Sequence, residues 1–132
     1  MISPILLSAA FGFIKGFTSS EPSTGFDVEQ DLWGPTKEEL IFRGPLWIFP
    51  KVPYGATALF FAGEHILSDQ KESPQMTPLE VVARLGDVFL GGMLYELAMR
   101  RGGMLSAIGA HAAHNNAIRW GEQLRNGVKR GA

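Results

Sequence analysis

Pro78-Leu79-Glu80-Val81-Val82-Ala83-Arg84-Leu85-Gly86-Asp87-Val88-Phe89-Leu90-Gly91-Gly92-Met93-Leu94-Tyr95-Glu96-Leu97-Ala98-Met99 is the stretch that decides the fold. Leu79, Val82, Leu85, Phe89, Met93 and Leu97 recur at three- and four-residue steps, the spacing of one helix face. Pro78 suits a helix's first turn. An amphipathic α-helix follows. Arg100-Arg101-Gly102-Gly103 breaks it, and helical spacing resumes from Met104 to about Leu124. There Ala107, Gly109, Ala110, Ala112 and Ala113 form small faces that admit a neighbouring helix. With no repeat and no strand alternation, the predicted class is all-α, a compact helical bundle of about four to five helices.

Upstream, Ile2 to Phe17 is apolar without a basic lead, so it reads as a helix rather than a cleaved signal peptide. Ser19 to Gly34 reads as a loop containing Glu21, Asp27, Glu29 and Asp31. Thr36, with Glu39 three positions on, predicts a capping box opening a helix to about Trp47. Pro45, Pro50 and Pro53 mark an irregular connection, Tyr54 to Leu67 a second helix carrying Glu64-His65, and Ser68 to Thr77 a polar turn. The organisation is a single domain: residues 1–35 an N-terminal helix and acidic loop, 36–118 the core, 119–132 a basic end.

At 132 residues, with 45% hydrophobic and 19% charged, the chain is globular rather than disordered. A net charge of -1 gives no general attraction for nucleic acid; Arg119, Arg125, Lys129 and Arg130 form a local cluster read as a solvated or headgroup-facing end. Zero cysteine removes disulfides, thiolate zinc sites and a thiol nucleophile, leaving carboxylates, imidazoles and hydroxyls for chemistry. A spanning helix needs about 20 apolar residues. The longest uncharged runs, Gly102 to Ile118, Met1 to Ile14 and Val52 to Gly63, fall short of that length. Apolar runs broken by single charges nevertheless suit helices lining a polar site within a membrane.

Three motifs concentrate the chemistry. In Glu38-Glu39-Leu40-Ile41-Phe42-Arg43-Gly44 the adjacent carboxylates point about 100° apart, while Glu39 and Arg43 are placed to pair. Phe61-Ala62-Gly63-Glu64-His65 supplies one imidazole. His111-Ala112-Ala113-His114-Asn115-Asn116 supplies two more, with His111 and Asn115 one turn apart on a face suited to an oxyanion hole. Each motif alone has an ordinary structural reading, as a surface ion pair or a buried, hydrogen-bonded histidine. All three histidines of the chain fall within them.

Taken in this order over Thr36 to Ile118, Glu-Glu-x-x-x-Arg, Phe-x-x-x-His and His-x-x-x-Asn resemble the CPBP (CAAX protease and bacteriocin-processing, or Abi) family of intramembrane proteases. The resemblance implies a membrane-embedded, multi-pass endopeptidase of the cell membrane, in contact with lipid and acting on a CAAX-like or leader-type peptide or protein substrate. It implies that Glu38 and His65 activate water, that Glu39 and Arg43 hold the helix and its charge, and that His111 and Asn115 meet the oxyanion. Glu64 and His114 stand beside these motifs as packing or supporting groups. Glu39 is the alternative to Glu38 as the base.

No cofactor is expected on this reading. A zinc site of Glu39, His65 and His111 is the alternative, having the two-histidine, one-carboxylate composition of a catalytic metal; Asn115 is a poor zinc ligand, and no His-Glu-x-x-His is present. Family members carry further flanking helices, so the chain is expected to be minimal or truncated, with its groove completed by a second copy or another membrane subunit. Two other functions stay open: a non-catalytic membrane scaffold or immunity-type protein, and a soluble helical metal-binding protein.

Overall fold

A computed structural model describes residues 2–20, 25–72 and 75–131. Among these every regular element is helical: α1 (Pro4–Thr18), a π-helical turn (Glu29–Trp33), α2 (Gly34–Arg43), α3 (Pro45–Ile48), α4 (Ala56–Glu72) and α5 (Pro78–Gly131). The all-α expectation holds.

α5 is two limbs joined at Gly103, whose φ of 76° and ψ of -170° leave the helical region. The left-handed φ is open to glycine and costly for other residues, which explains why the break falls there. The chain bends at this point, and α1 and α4 pack on α5. α1 approaches the second limb very closely: a Cβ at Gly12 would meet the carbonyl of His114, and one at Gly16 the carbonyl of Ile118. This Gly-x-x-x-Gly spacing puts both glycines on one helical face.

Several boundaries differ from the sequence reading. The segment expected to be a loop from Ser19 to Gly34 is helical from Val28 onward, because the Asp27 carboxylate accepts from the amides of Glu29 (2.8 Å) and Gln30 (3.1 Å) and opens the turn. Glu21 lies outside the described residues. Thr36 does not cap a helix: it lies inside one, its hydroxyl donating to the Leu32 carbonyl at 2.7 Å, and Glu39 is engaged elsewhere. α4 continues through Ser68 to Glu72, into the expected turn; Ser73 and Pro74 of that turn lie outside the described residues. The basic end is not simply solvated, since Arg119 Nε donates to buried Asp31 at 2.8 Å and Arg125 is buried.

In the first limb of α5 the apolar stripe changes surroundings along its length. Leu79, Val82 and Leu85 are exposed, whereas Gly91, Gly92, Tyr95, Glu96 and Ala98 are buried. Further along the stripe Phe89, Met93 and Leu97 are partly buried, Phe89 against the core, and the small residues beside them allow α2 and α4 to approach; at Gly92 a Cβ would lie 3.1 Å from both Ala58 Cα and Arg43 Nη2. Trp47, Ile48, Phe60, Leu105 and Trp120 add to an exterior rich in large apolar side chains. No described helix is long and apolar enough to cross a membrane, so the expected transmembrane helices are not found among the described residues.

Candidate active site

The three motifs converge. α2 carries Glu38, Glu39 and Arg43; α4 carries His65; the second limb of α5 carries His111, His114 and Asn115. Together with Phe61 and Tyr95 they line or underlie a cavity of about 150 Å³, into which Lys15, Arg84 and Asp87 also reach.

The adjacent glutamates have separate surroundings, as their angular offset requires. Glu39 is fully buried, and its Oε1 lies 2.8 Å from His111 Nδ1 and accepts from Arg43 Nη1 at 3.3 Å. Arg43, also fully buried, donates through Nη2 to the Gly92 carbonyl at 2.9 Å and lies 4.6 Å over the Phe61 ring. Glu38 is partly exposed and faces the cavity. Its Oε2 has no hydrogen-bond partner among the described residues and stands 3.6 Å from His65 Nε2 and 3.8 Å from His111 Nε2.

Backbone contacts set the tautomers. A carbonyl can only accept, so His65 Nδ1, 2.9 Å from the Phe61 oxygen, carries the proton, and in the neutral ring Nε2 presents a lone pair toward Glu38. His114 Nδ1 likewise donates to the Ser8 carbonyl at 3.1 Å. His111 depends on Glu39. With Glu39 ionised, Nδ1 donates and Nε2 is a lone pair; with Glu39 protonated, the acid donates to Nδ1 and Nε2 carries the hydrogen. Burial raises the Glu39 carboxyl to about 7, against the pull of the Arg43 charge, so both states are populated near neutrality. Burial also lowers His111 to about 3, keeping its ring neutral.

Aromatic rings fix the orientation of His111. Tyr95 stacks on it at 4.3 Å with 12° between planes, and Phe61 meets it edge-on at 5.6 Å. Neither Tyr95 nor the cavity residues Lys15, Arg84 and Asp87 were singled out from sequence for this site. The available signal was a second stripe in α5, in which Arg84, Asp87, Gly91, Tyr95 and Ala98 recur at three- and four-residue steps opposite the apolar one.

Asn115 lines the cavity, but its amide nitrogen donates to the Gln30 carbonyl at 3.3 Å. The zinc alternative does not assemble as expected: Glu39 engages the Nδ1 side of His111, while His65 faces Glu38. Among the described residues no group of three or more His, Asp or Glu side chains is arranged to hold a metal ion. Glu64 accepts from Ser68 at 3.1 Å and lies 3.3 Å from His65 Nδ1, a supporting position.

A family model, Type II CAAX prenyl endopeptidase Rce1-like, matches residues 31–117, about two thirds of the chain and the span containing all three motifs. The chain belongs to the Rce1-like family. No curated protein and no solved structure matches it. Membership accounts for the CPBP resemblance and identifies a CAAX-type protease family, membrane-associated and acting on peptide or protein substrates. α1, with its Lys15 in the cavity, lies outside the span shared with the Rce1-like family.

Proposed function

We propose that this Rce1-like chain is an endopeptidase that hydrolyses a peptide bond near a CAAX-type end with water activated by Glu38 and His65. The observation that carries the reading is the position of Glu38 Oε2, unpartnered and within 4 Å of two imidazole nitrogens. Separations of 3.6 and 3.8 Å are too long for direct hydrogen bonds and suit a bridging water. Such a water donates one proton toward Glu38 and the other toward the His65 lone pair, leaving its oxygen free to attack a carbonyl. Glu38 takes up the proton and returns it to the leaving amine, as a general base and then a general acid.

His111 meets the developing oxyanion in the tautomer that has hydrogen on Nε2, which Glu39 sets by donating to Nδ1. Asn115 joins it by turning its amide from Gln30 into the cavity. Arg43 moderates the Glu39 charge, and Tyr95 keeps the His111 ring in plane. A pair of donors aimed at an oxyanion is worth several kcal/mol in an enclosed site.

The exposed apolar exterior supports work at a lipid surface, where a prenylated substrate resides. The same polar network would serve a scaffold without catalysis. Cleavage of an S-farnesylated CAAX peptide by the purified chain, compared with Glu38→Gln, His65→Ala and His111→Ala and repeated with a chelator, separates the readings. Cleavage by wild type, its loss in all three variants and indifference to chelator uphold the proposal. Variants that only melt earlier, with no wild-type cleavage, overturn it.

A further inference from the structure

Tyr95 is only 3% exposed, yet its hydroxyl makes no hydrogen bond among the described residues. Buried phenols ordinarily find a partner, because an unpaired polar group away from water is costly. The hydroxyl belongs to the site cavity, which Tyr95 lines. It reaches from the ring toward Gly91, where an added Cβ would come 3.3 Å from Oη. Glycine at 91 leaves the space beside that oxygen open.

An oxyanion is stabilised by hydrogen-bond donors already in position. The other polar groups of the cavity are committed elsewhere or are of the wrong kind. Glu38 is an acceptor when ionised. His114 gives its one N–H to the Ser8 carbonyl at 3.1 Å, so its second ring nitrogen is a lone pair. Asn115 donates to the Gln30 carbonyl at 3.3 Å. Lys15 pairs with Asp87 at 2.6 Å and Arg84 with Asp69 at 2.7 Å. The Tyr95 hydroxyl is a donor that nothing in the resting site occupies. Burial pushes the phenol well above its usual range, with the Glu39 charge adding to the effect, so the proton stays on the oxygen at neutral pH.

Three rings hold Tyr95 in place. It lies flat on His111 at 4.3 Å with 12° between planes, and the Phe61 and His114 rings meet it edge-on, each at 5.9 Å. A hydroxyl so fixed needs no ordering when a substrate arrives. Two donors that meet one oxygen at 2.7–3.1 Å each stand no more than about 6 Å apart. Rings stacked this closely are compatible with such a pair. We propose that the Tyr95 hydroxyl is a catalytic donor, bonding the scissile carbonyl oxygen beside His111 as that oxygen becomes an oxyanion. The inference rests on the endopeptidase reading above and adds to it a residue outside the three motifs. No proton leaves Tyr95: the bond strengthens as charge gathers on the oxygen and relaxes when the C–N bond breaks and the carbonyl re-forms.

The experiment compares wild type with Tyr95→Phe, which keeps the ring stack and removes one oxygen atom. Two probes are used on the full chain in detergent: an S-farnesylated CAAX peptide, and its phosphinate isostere, which carries tetrahedral, charged oxygens at the scissile position and is not cleaved. Tyr95→Phe is expected to melt like wild type, to lose about a hundredfold in kcat with KM little changed, and to lose phosphinate affinity while keeping peptide affinity, the pattern of a missing oxyanion donor. The ratio of the two affinities is read on one preparation, so it does not depend on the folded fraction. Wild-type turnover and phosphinate affinity in Tyr95→Phe overturn the inference and leave the endopeptidase reading intact. Equal loss of affinity for peptide and phosphinate marks a structural hydroxyl and also overturns it. Selective loss of phosphinate binding, with no cleavage by wild type, upholds the Tyr95 donor and overturns the endopeptidase reading.

Discussion

Replacing Arg43 by methionine should give a stability loss whose size depends on pH in a way fixed by Glu39. At pH 6 the variant loses the Nη2 bond to the Gly92 carbonyl (2.9 Å) and the contact over Phe61 (4.6 Å). A charged hydrogen bond and a buried cation–π contact together contribute about 3 kcal/mol. The remaining cost is that of leaving Glu39 buried without its cation. Glu39 already sits at about 7, so at or below that pH it can protonate in the variant at almost no cost.

The sign follows from comparing the two folded states. The unfolded carboxyl titrates at 4.5, so between 4.5 and 7 wild type and variant both lose stability at the same rate as pH rises. Above 7 wild type has ionised beside Arg43 and its loss stops. The variant, whose Glu39 is held higher still, continues to lose about 1.4 kcal/mol per pH unit. The difference between the two should therefore be flat from pH 5.5 to 7 and then grow by about 2.7 kcal/mol by pH 9. Denaturant unfolding followed by helical circular dichroism at several pH values measures it, with Glu39→Gln as the background that removes the slope. A difference constant from pH 6 to 9, or a slope that persists in Glu39→Gln, refutes the reasoning.

Gly16→Ala sets a methyl against the Ile118 carbonyl and should cost about 2–3 kcal/mol by forced separation of α1 from α5, read as a lower melting temperature. Burial lowers His114 to about 4 and His111 to about 3. The stability from keeping these rings neutral is present above 6.5 and lost as pH falls, so acidification to pH 4.5 should remove on the order of 3 kcal/mol per histidine, and His114→Gln should lessen the loss in thermal melts. Burial pushes the Glu96 carboxyl up, but bonds from Thr57, Arg100 and the Gly55 amide outweigh it and hold the group low. Glu96→Gln should therefore destabilise by about 2 kcal/mol in denaturant titration, chiefly by loosening the connection into α4.

The helical class was legible in the sequence, and so were the motifs that the fold brings together at one cavity. Periodicity in residues 78–99 and the Gly103 break report local backbone preference, and three short motifs report a site drawn from three helices. What periodicity left open was where an apolar stripe is covered. Leu79, Val82 and Leu85 recur as core residues do, yet face outward, because periodicity states that two faces differ and not which one is buried. Tyr95 and Asp87 were missed for the same reason, lying opposite that stripe. The Thr36 capping box failed because Asp27 starts the turn nine residues earlier and the helix is already formed when it reaches Thr36. Which glutamate faces the cavity also needed coordinates: Glu39 alone is within bonding reach of Arg43 and His111 Nδ1, which leaves Glu38 to the cavity.

That division of labour between neighbouring carboxylates is the central claim, and the turnover of an S-farnesylated CAAX peptide by Glu38→Gln beside Glu39→Gln tests it most directly. The account predicts that Glu38→Gln melts like wild type and loses at least about a hundredfold in kcat, the scale of a missing general base, while Glu39→Gln shifts both the melting curve and the pH profile and keeps measurable turnover. Wild-type turnover in Glu38→Gln, or loss of chemistry without loss of stability in Glu39→Gln alone, would contradict it.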